Sequence, residues 1–211
     1  MSASTSQRAR LATHDHAPKL VVVTGGPGAG KTALLELVRH HFHDNVIVLP
    51  EAASIVFGGG FPRRPEASWR KAGQRAIYHV QRELERAALE DRDAAVVLCD
   101  RGTLDGIAYW PDGAASWAAE LGTTVAAEQA RYAAVIQMRT PPAGSYNHAN
   151  PVRIESAAEA ASSDARIAEI WKGHAHHHVI PSTPRFLDKI HRGLAAIEQE
   201  IPACCRPLEV A

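Results

Sequence analysis

The residues that most constrain this chain are Gly25-Gly26-Pro27-Gly28-Ala29-Gly30-Lys31-Thr32. They match the pattern G-x-x-x-x-G-K-[ST] in full. The β-branched run Leu20-Val21-Val22-Val23-Thr24 precedes them, and a stretch with Leu34, Leu35, Leu37 and Val38 at helical spacing follows. A strand before and a helix after is the context that gives the pattern meaning. Glycines let successive N–H groups turn into one concavity, and the helix N-terminus adds its positive end. Lys31 is then placed to reach the β- and γ-phosphates of a nucleoside triphosphate, and the Thr32 hydroxyl to ligate Mg²⁺. The plainer reading is a glycine-rich strand-to-helix turn with no ligand.

The rest of the chain repeats the same alternation. Val46-Ile47-Val48-Leu49, Ala94 to Cys99, Val135 to Met138 and Val179-Ile180 read as further strands. Lys31 to His41, Trp69 to Arg92, Ala127 to about Ala134, and Arg185 to Glu200 read as helices. Strands alternating with helices predict one α/β domain, residues 19–211, with a parallel sheet and helices on both faces. Met1 to Pro18 is polar without an apolar core segment, which predicts a mobile tail rather than a signal peptide. Two irregular stretches, Gly58 to Pro65 and Thr140 to Pro151, are placed to cover strand ends, where open α/β sheets bind ligands.

Composition excludes several function classes. Lys plus Arg and Asp plus Glu are 23 each, so no global positive field draws the chain to nucleic acid. No apolar run approaches the ~18 residues of a membrane span. The three cysteines, Cys99, Cys204 and Cys205, make no secreted disulfide framework, and a reducing cytoplasm is expected. Adjacent Cys204 and Cys205 are poor partners for one another. Cys99 lies in an apolar run and reads as a buried thiol.

Three charged residues follow strand ends. Asp100 stands at the tip of the third strand, beside the phosphate-loop strand, where it holds either Mg²⁺ and its waters or simply a turn. Arg101 either contacts phosphate or pairs with a neighbouring carboxylate. Glu51, after the second strand, is either the general base for a substrate hydroxyl or an exposed loop residue.

A family resemblance rests on the phosphate loop together with Pro50-Glu51-Ala52-Ala53, Gln81-Arg82-Glu83, Asp100-Arg101-Gly102 with Asp105, Ala108-Tyr109, and Pro151-Val152-Arg153-Ile154-Glu155. From Lys19 to about Ile201 the chain resembles the small P-loop ATPases of the AAA group with a nicotinamide-riboside-kinase-like domain. More distantly it is similar to deoxynucleoside kinases, with Glu51, Asp100-Arg101-Gly102 and Arg139-Thr140-Pro141-Pro142 in the corresponding places. The resemblance implies a kinase-like strand order 2-3-1-4-5 and Mg²⁺- and ATP-dependent phosphoryl transfer to a small hydroxyl acceptor such as a nucleoside. Glu51 would be the base, Thr32 and Asp100 the Mg²⁺ supports, and Arg101 and Arg153 the charges that stabilise the transferring group. Ser145 to Asp164 would be the lid. Gly102 departs from the Ser of those kinases, Glu51 is followed by Ala rather than Pro, and the lid holds only Arg153.

Other residues admit two readings each. Gln74 and Gln81, seven apart on the long helix, either face the acceptor or face solvent. Tyr78 and Trp69 either stack on a ligand or pack in the core. His174, His176, His177 and His178 either bind metal or do not; alternation along a strand would put His176 and His178 together and His177 opposite. A regulatory ATPase or GTPase-type switch without a small-molecule acceptor remains the second functional class, and a phosphate-binding module without turnover the third. No Asn/Thr-Lys-x-Asp guanine-reading motif is present, which favours ATP.

Overall fold

Val21 and Val23 of the first strand enter one apolar layer, and Leu20 and Val22 enter the other. A strand buried on both faces has no polar side to show, which is why this run is continuously apolar. The structure, a computed structural model, describes residues 16–42, 45–90, 94–142 and 156–205. Its sheet has five strands: β1 (Lys19–Thr24), β2 (Val46–Leu49), β3 (Val96–Asp100), β4 (Tyr132–Met138) and β5 (His177–Ile180). All pairings are parallel, and the order is β2-β3-β1-β4-β5, as the resemblance implied.

Seven α-helices surround it among the described residues: α1 (Lys31–His41), α2 (Ala52–Gly58), α3 (Ala67–Leu89), α4 (Gly113–Leu121), α5 (Val125–Gln129), α6 (Ala157–Trp171) and α7 (Phe186–Glu200). Among the described residues, 3-10 turns span Thr103–Tyr109 and Ala203–Cys205. One apolar layer packs Leu34, Leu35 and Val38 of α1 with Ile190 and Ile197 of α7 against the sheet. The other packs Tyr78 of α3, Trp117 of α4, and Ile167 and Trp171 of α6. No helix among the described residues is long and apolar enough to cross a membrane.

The differences from the sequence reading are local. The helix expected over Ala127 to Ala134 is only α5, Val125–Gln129; Ala130 and Arg131 form a turn, and Tyr132 to Ala134 belong to β4. Ala133 and Ala134 favour helix, but pairing with β1 overrides that preference. The long helix α3 starts at Ala67 and ends at Leu89, and Arg92 lies outside the described residues. Helix α6 occupies part of the expected lid. Its start is a capping box: Ser156 accepts the N–H of Glu159, and the Glu159 carboxylate takes the Ser156 N–H at 2.8 Å. That S-x-x-E spacing is a helix-start signal readable in the sequence.

Candidate active site

The phosphate loop lies between β1 and α1, with Gly25, Gly28 and Gly30 at φ of 136°, 73° and 95°. At Gly25 a side chain is excluded twice over, since its Cβ would also fall 2.0 Å from the Met138 carbonyl oxygen. Lys31 is buried and folds back over the loop, donating to the carbonyls of Gly25 at 2.9 Å and Gly26 at 3.2 Å. Burial, with repulsion from Arg101, lowers its pKa to about 8, against the pull of Asp100, Glu51 and Asp105. The loop is held from outside. Thr140 donates to Pro27 O at 3.2 Å, Lys189 of α7 donates to Ala29 O at 2.6 Å and Arg139 O at 2.5 Å, and Asp164 of α6 accepts the Gly26 N–H at 3.0 Å. Asp164 also takes Arg139 Nε at 2.6 Å.

The carboxylates and the arginine named from the sequence meet beside the loop. Register places Asp100 of β3 level with Val23 of β1. Arg101 follows it with φ 73°, a left-handed backbone that a non-glycine residue adopts only where its surroundings enforce it. Its N–H still bonds Val23 O at 3.1 Å. From this position the guanidinium reaches Glu51 Oε1 at 2.7 Å, Gly25 O at 3.3 Å and Asp105 Oδ2 at 3.9 Å. Arg101 therefore pairs with a carboxylate, one of the two readings, while also touching the loop. Burial works against its charge, but Tyr109, Glu51 and Asp105 outweigh burial and hold it protonated.

Glu51 stands at the N-cap position of α2, and its second oxygen accepts the Ser54 hydroxyl at 2.6 Å. Burial pushes its carboxyl up, yet Arg101 and the Ser54 bond bring it below the ordinary range, so it is ionised at neutral pH. Asp100 moves the other way: burial raises it, and Glu51 and Asp105 add to that against Lys31 and Arg101. Asp105 is buried and raised mainly by burial, and it accepts Thr24 Oγ1 and Trp171 Nε1 at 2.6 Å each. Gly102 is glycine for space: its Cβ would lie 2.7 Å from the Trp171 ring and 2.9 Å from Val22, at an ordinary φ of −98°.

Three carboxylates, Glu51, Asp100 and Asp105, thus face two cations, Lys31 and Arg101. A hydroxyl at Thr32, exposed in the first turn of α1, and a carboxylate at Asp100 are oxygen donors of the kind Mg²⁺ takes, so the residues present fit that ion.

Other expected site residues lie elsewhere. Arg153, with Pro151 to Glu155 and most of the expected lid, is outside the described residues. Gln81 faces neither acceptor nor solvent: it is buried and donates to Glu85 at 2.8 Å. Glu85 also takes Tyr132 OH and Arg131, and Arg131 bridges on to Glu128 at 2.8 Å. Glu128 collects Tyr78 OH, Thr103 and Arg82. Tyr78 is therefore core, and this charged network underlies the turn that follows Arg101. Gln74 is half-buried beside Gly106. Trp69 packs edge-on to Phe61, with Arg64 over its ring at 5.3 Å. Cys99 is buried. The histidines do not converge: His174 bonds Tyr132 O, His177 bonds Gln137, and His178 Nε2 lies 3.4 Å from Glu200.

The sequence reading assigned no role to Asp164, Arg139 or Lys189, and quoted Asp105 only within a motif. A family model described as AAA domain matches residues 20–185, from the second residue of β1 past the end of β5. No curated protein matches the chain.

Proposed function

This chain belongs to the AAA domain family, a P-loop NTPase family whose phosphate loop binds nucleoside triphosphate, and from that premise we propose that it is a Mg²⁺- and ATP-dependent phosphotransferase acting on a small hydroxyl acceptor such as a nucleoside. The observation that carries this reading is the chain of contacts Glu51–Arg101–Gly25, at 2.7 and 3.3 Å, which ties an ionised carboxylate to the rim of the phosphate loop. In this reading the carboxylate would accept the proton of a hydroxyl brought against the γ-phosphate.

The loop amides and Lys31 hold the phosphates, and Arg101 stabilises charge developing on the transferring group. Thr32 and Asp100 would hold Mg²⁺, which supplies further neutralisation of the phosphate oxygens. Arg153 is the second arginine proposed for that role. Most of the rate would come from positioning and electrostatics.

A second reading has its own support. Glu51 is already engaged by Arg101 and Ser54, which suits a carboxylate that orients Arg101 in a regulatory nucleotide switch without an acceptor. The test is a panel of nucleosides and other small hydroxyl compounds with ATP and Mg²⁺, with products identified by mass spectrometry. A phosphorylated product supports the kinase. ATP hydrolysis that no compound stimulates favours the switch.

A further inference from the structure

We propose that His16, Cys204 and Cys205 form a site for a thiophilic divalent cation, of which Zn²⁺ suits the geometry, joining the segment that enters β1 to the turn that follows α7. These three are the one group of His, Cys, Asp or Glu side chains among the described residues whose ligand atoms all lie within 4.8 Å of one another. The two Sγ atoms are 3.7 Å apart, and Nδ1 of His16 is 3.8 Å from each. Zn–S bonds of about 2.3 Å and a Zn–N bond of about 2.0–2.1 Å at the tetrahedral angle give S···S and S···N edges of about 3.8 and 3.6 Å. The observed triangle has the edge lengths of one face of that tetrahedron to within a few tenths of an ångström; Nε2 of His16 also lies 3.7 Å from Cys205 Sγ, so the imidazole turns on binding to aim Nδ1 at the ion, and the fourth position is left to solvent.

The same two sulfurs are badly placed for a disulfide. Cα atoms of neighbouring residues lie about 3.8 Å apart across a trans peptide, short of the usual disulfide range of about 4.4–6.8 Å. Two thiolates and an imidazole are the soft and borderline donors that Zn²⁺ selects. On binding, each thiol gives its proton to solvent and no electron moves.

The surroundings already bring these chain segments together. Lys19, at the start of β1, pairs with Glu200 of α7 at 2.8 Å. Asn45 donates to the Cys205 carbonyl at 3.3 Å, and Cys205 packs into the apolar layer of α1 and α7. Cys204 is exposed and His16 half-buried, so an ion has access. A bound ion would fix the N-terminal end of the strand whose other end is the phosphate loop.

The experiment uses the full chain, reduced and stripped of metal, titrated with Co²⁺. The expected result is one equivalent bound, with a sulfur-to-cobalt charge-transfer band that Zn²⁺ abolishes by displacement. His16→Ala, Cys204→Ser and Cys205→Ser should each weaken binding at least tenfold. Cys99→Ala, in the layer on the opposite sheet face, should leave it unchanged. His16→Ala keeps both thiols, so it remains informative if a cysteine variant misfolds. Binding to His174–His178 would give no sulfur band. The proposal is overturned if no such band forms, if it persists undiminished in His16→Ala, or if the two cysteines are oxidised to each other and take up no metal.

Discussion

Asp164 and Gly26 are hydrogen-bonded at 3.0 Å although 138 positions separate them in the chain. The carboxylate thereby holds one amide of the phosphate loop while its other oxygen holds Arg139 at 2.6 Å. Helix α6 comes so close here that a Cβ on Gly26 would lie 2.8 Å from that of Asp164 and 2.9 Å from Ala160 O.

Removing this clamp should loosen the loop. In Asp164→Ala the Gly26 N–H loses its partner and Arg139 its counter-ion. The expected cost is about 1–3 kcal/mol, seen as a melting midpoint lower by roughly 3–10 °C, together with weaker nucleotide binding. Asp164→Asn keeps the oxygen that Gly26 needs and should lie between the two. Thermal melts and a nucleotide titration of all three proteins measure this; an unchanged midpoint in Asp164→Ala would show that the clamp carries no stability.

Lys31 predicts two pH trends of opposite sign. Its pKa is about 8, against an ordinary 10.5, because it is buried and faces Arg101, although Asp100, Glu51 and Asp105 also face it. A bound triphosphate must raise that value, so binding takes up a proton above pH about 8, and the dissociation constant should rise up to tenfold per pH unit there. For folding, the unfolded chain holds more protons between about 8 and 10.5, so this group's contribution makes stability increase with pH across that window. Lys189 also sits at about 8; the affinity trend should survive in Lys189→Met and vanish in Lys31→Ala, which should also lose turnover. Calorimetric titrations in buffers of different ionisation enthalpy count the proton directly.

Glu51→Gln separates the two functional readings. If Glu51 is the base, acceptor-dependent transfer should fall about 10²–10⁴-fold, with little change in nucleotide affinity, because Lys31 and the loop hold the phosphates. If it only orients Arg101, basal hydrolysis should change instead, and no acceptor-dependent rate exists to lose. ATP consumption with and without the best acceptor distinguishes these outcomes.

Gly102→Ser restores the residue found in the deoxynucleoside-kinase pattern and should be harmful here. The added Cβ meets Trp171 and Val22 below 3.0 Å, and Trp171 is one of the two residues that donate to Asp105. Overpacking of this kind costs about 1–3 kcal/mol. The expected result is a lower melting midpoint and altered tryptophan fluorescence; wild-type values for both would show that Trp171 can move aside.

How much of this was legible in the sequence depends on the range of the interaction. Lys31, Thr32 and the loop glycines announce themselves through contiguous spacing, β1 through its unbroken apolar run, and α1 and α7 through periodicity. Glu51, Asp100 and Arg101 were legible as strand-end residues, but the Glu51–Arg101 pair required the strand order to bring residue 51 to residue 101. Gln81 was misread because a helical position says which face a residue takes, not that Glu85 waits there to receive it. Asp164 and Lys189 had no local signal at all, since each acts on the loop from a helix more than a hundred positions away. Helix α2, seven residues followed by glycines, lacks a side-chain cap bond and is too short for periodicity to mark it.

The parallel sheet has a consequence for how the chain is made. No strand can find its neighbour through a hairpin. The strand that begins at Lys19 first meets a partner when residue 96 has been synthesised, and its other edge stays open until Tyr132 and the residues after it follow. Pairings this distant in sequence form slowly, because loop closure precedes any contact that rewards it. A nascent chain therefore carries its most β-prone apolar segment unpaired through much of translation. Unpaired edges of this kind invite aggregation, so overproduction should favour slow synthesis, low temperature and available chaperones.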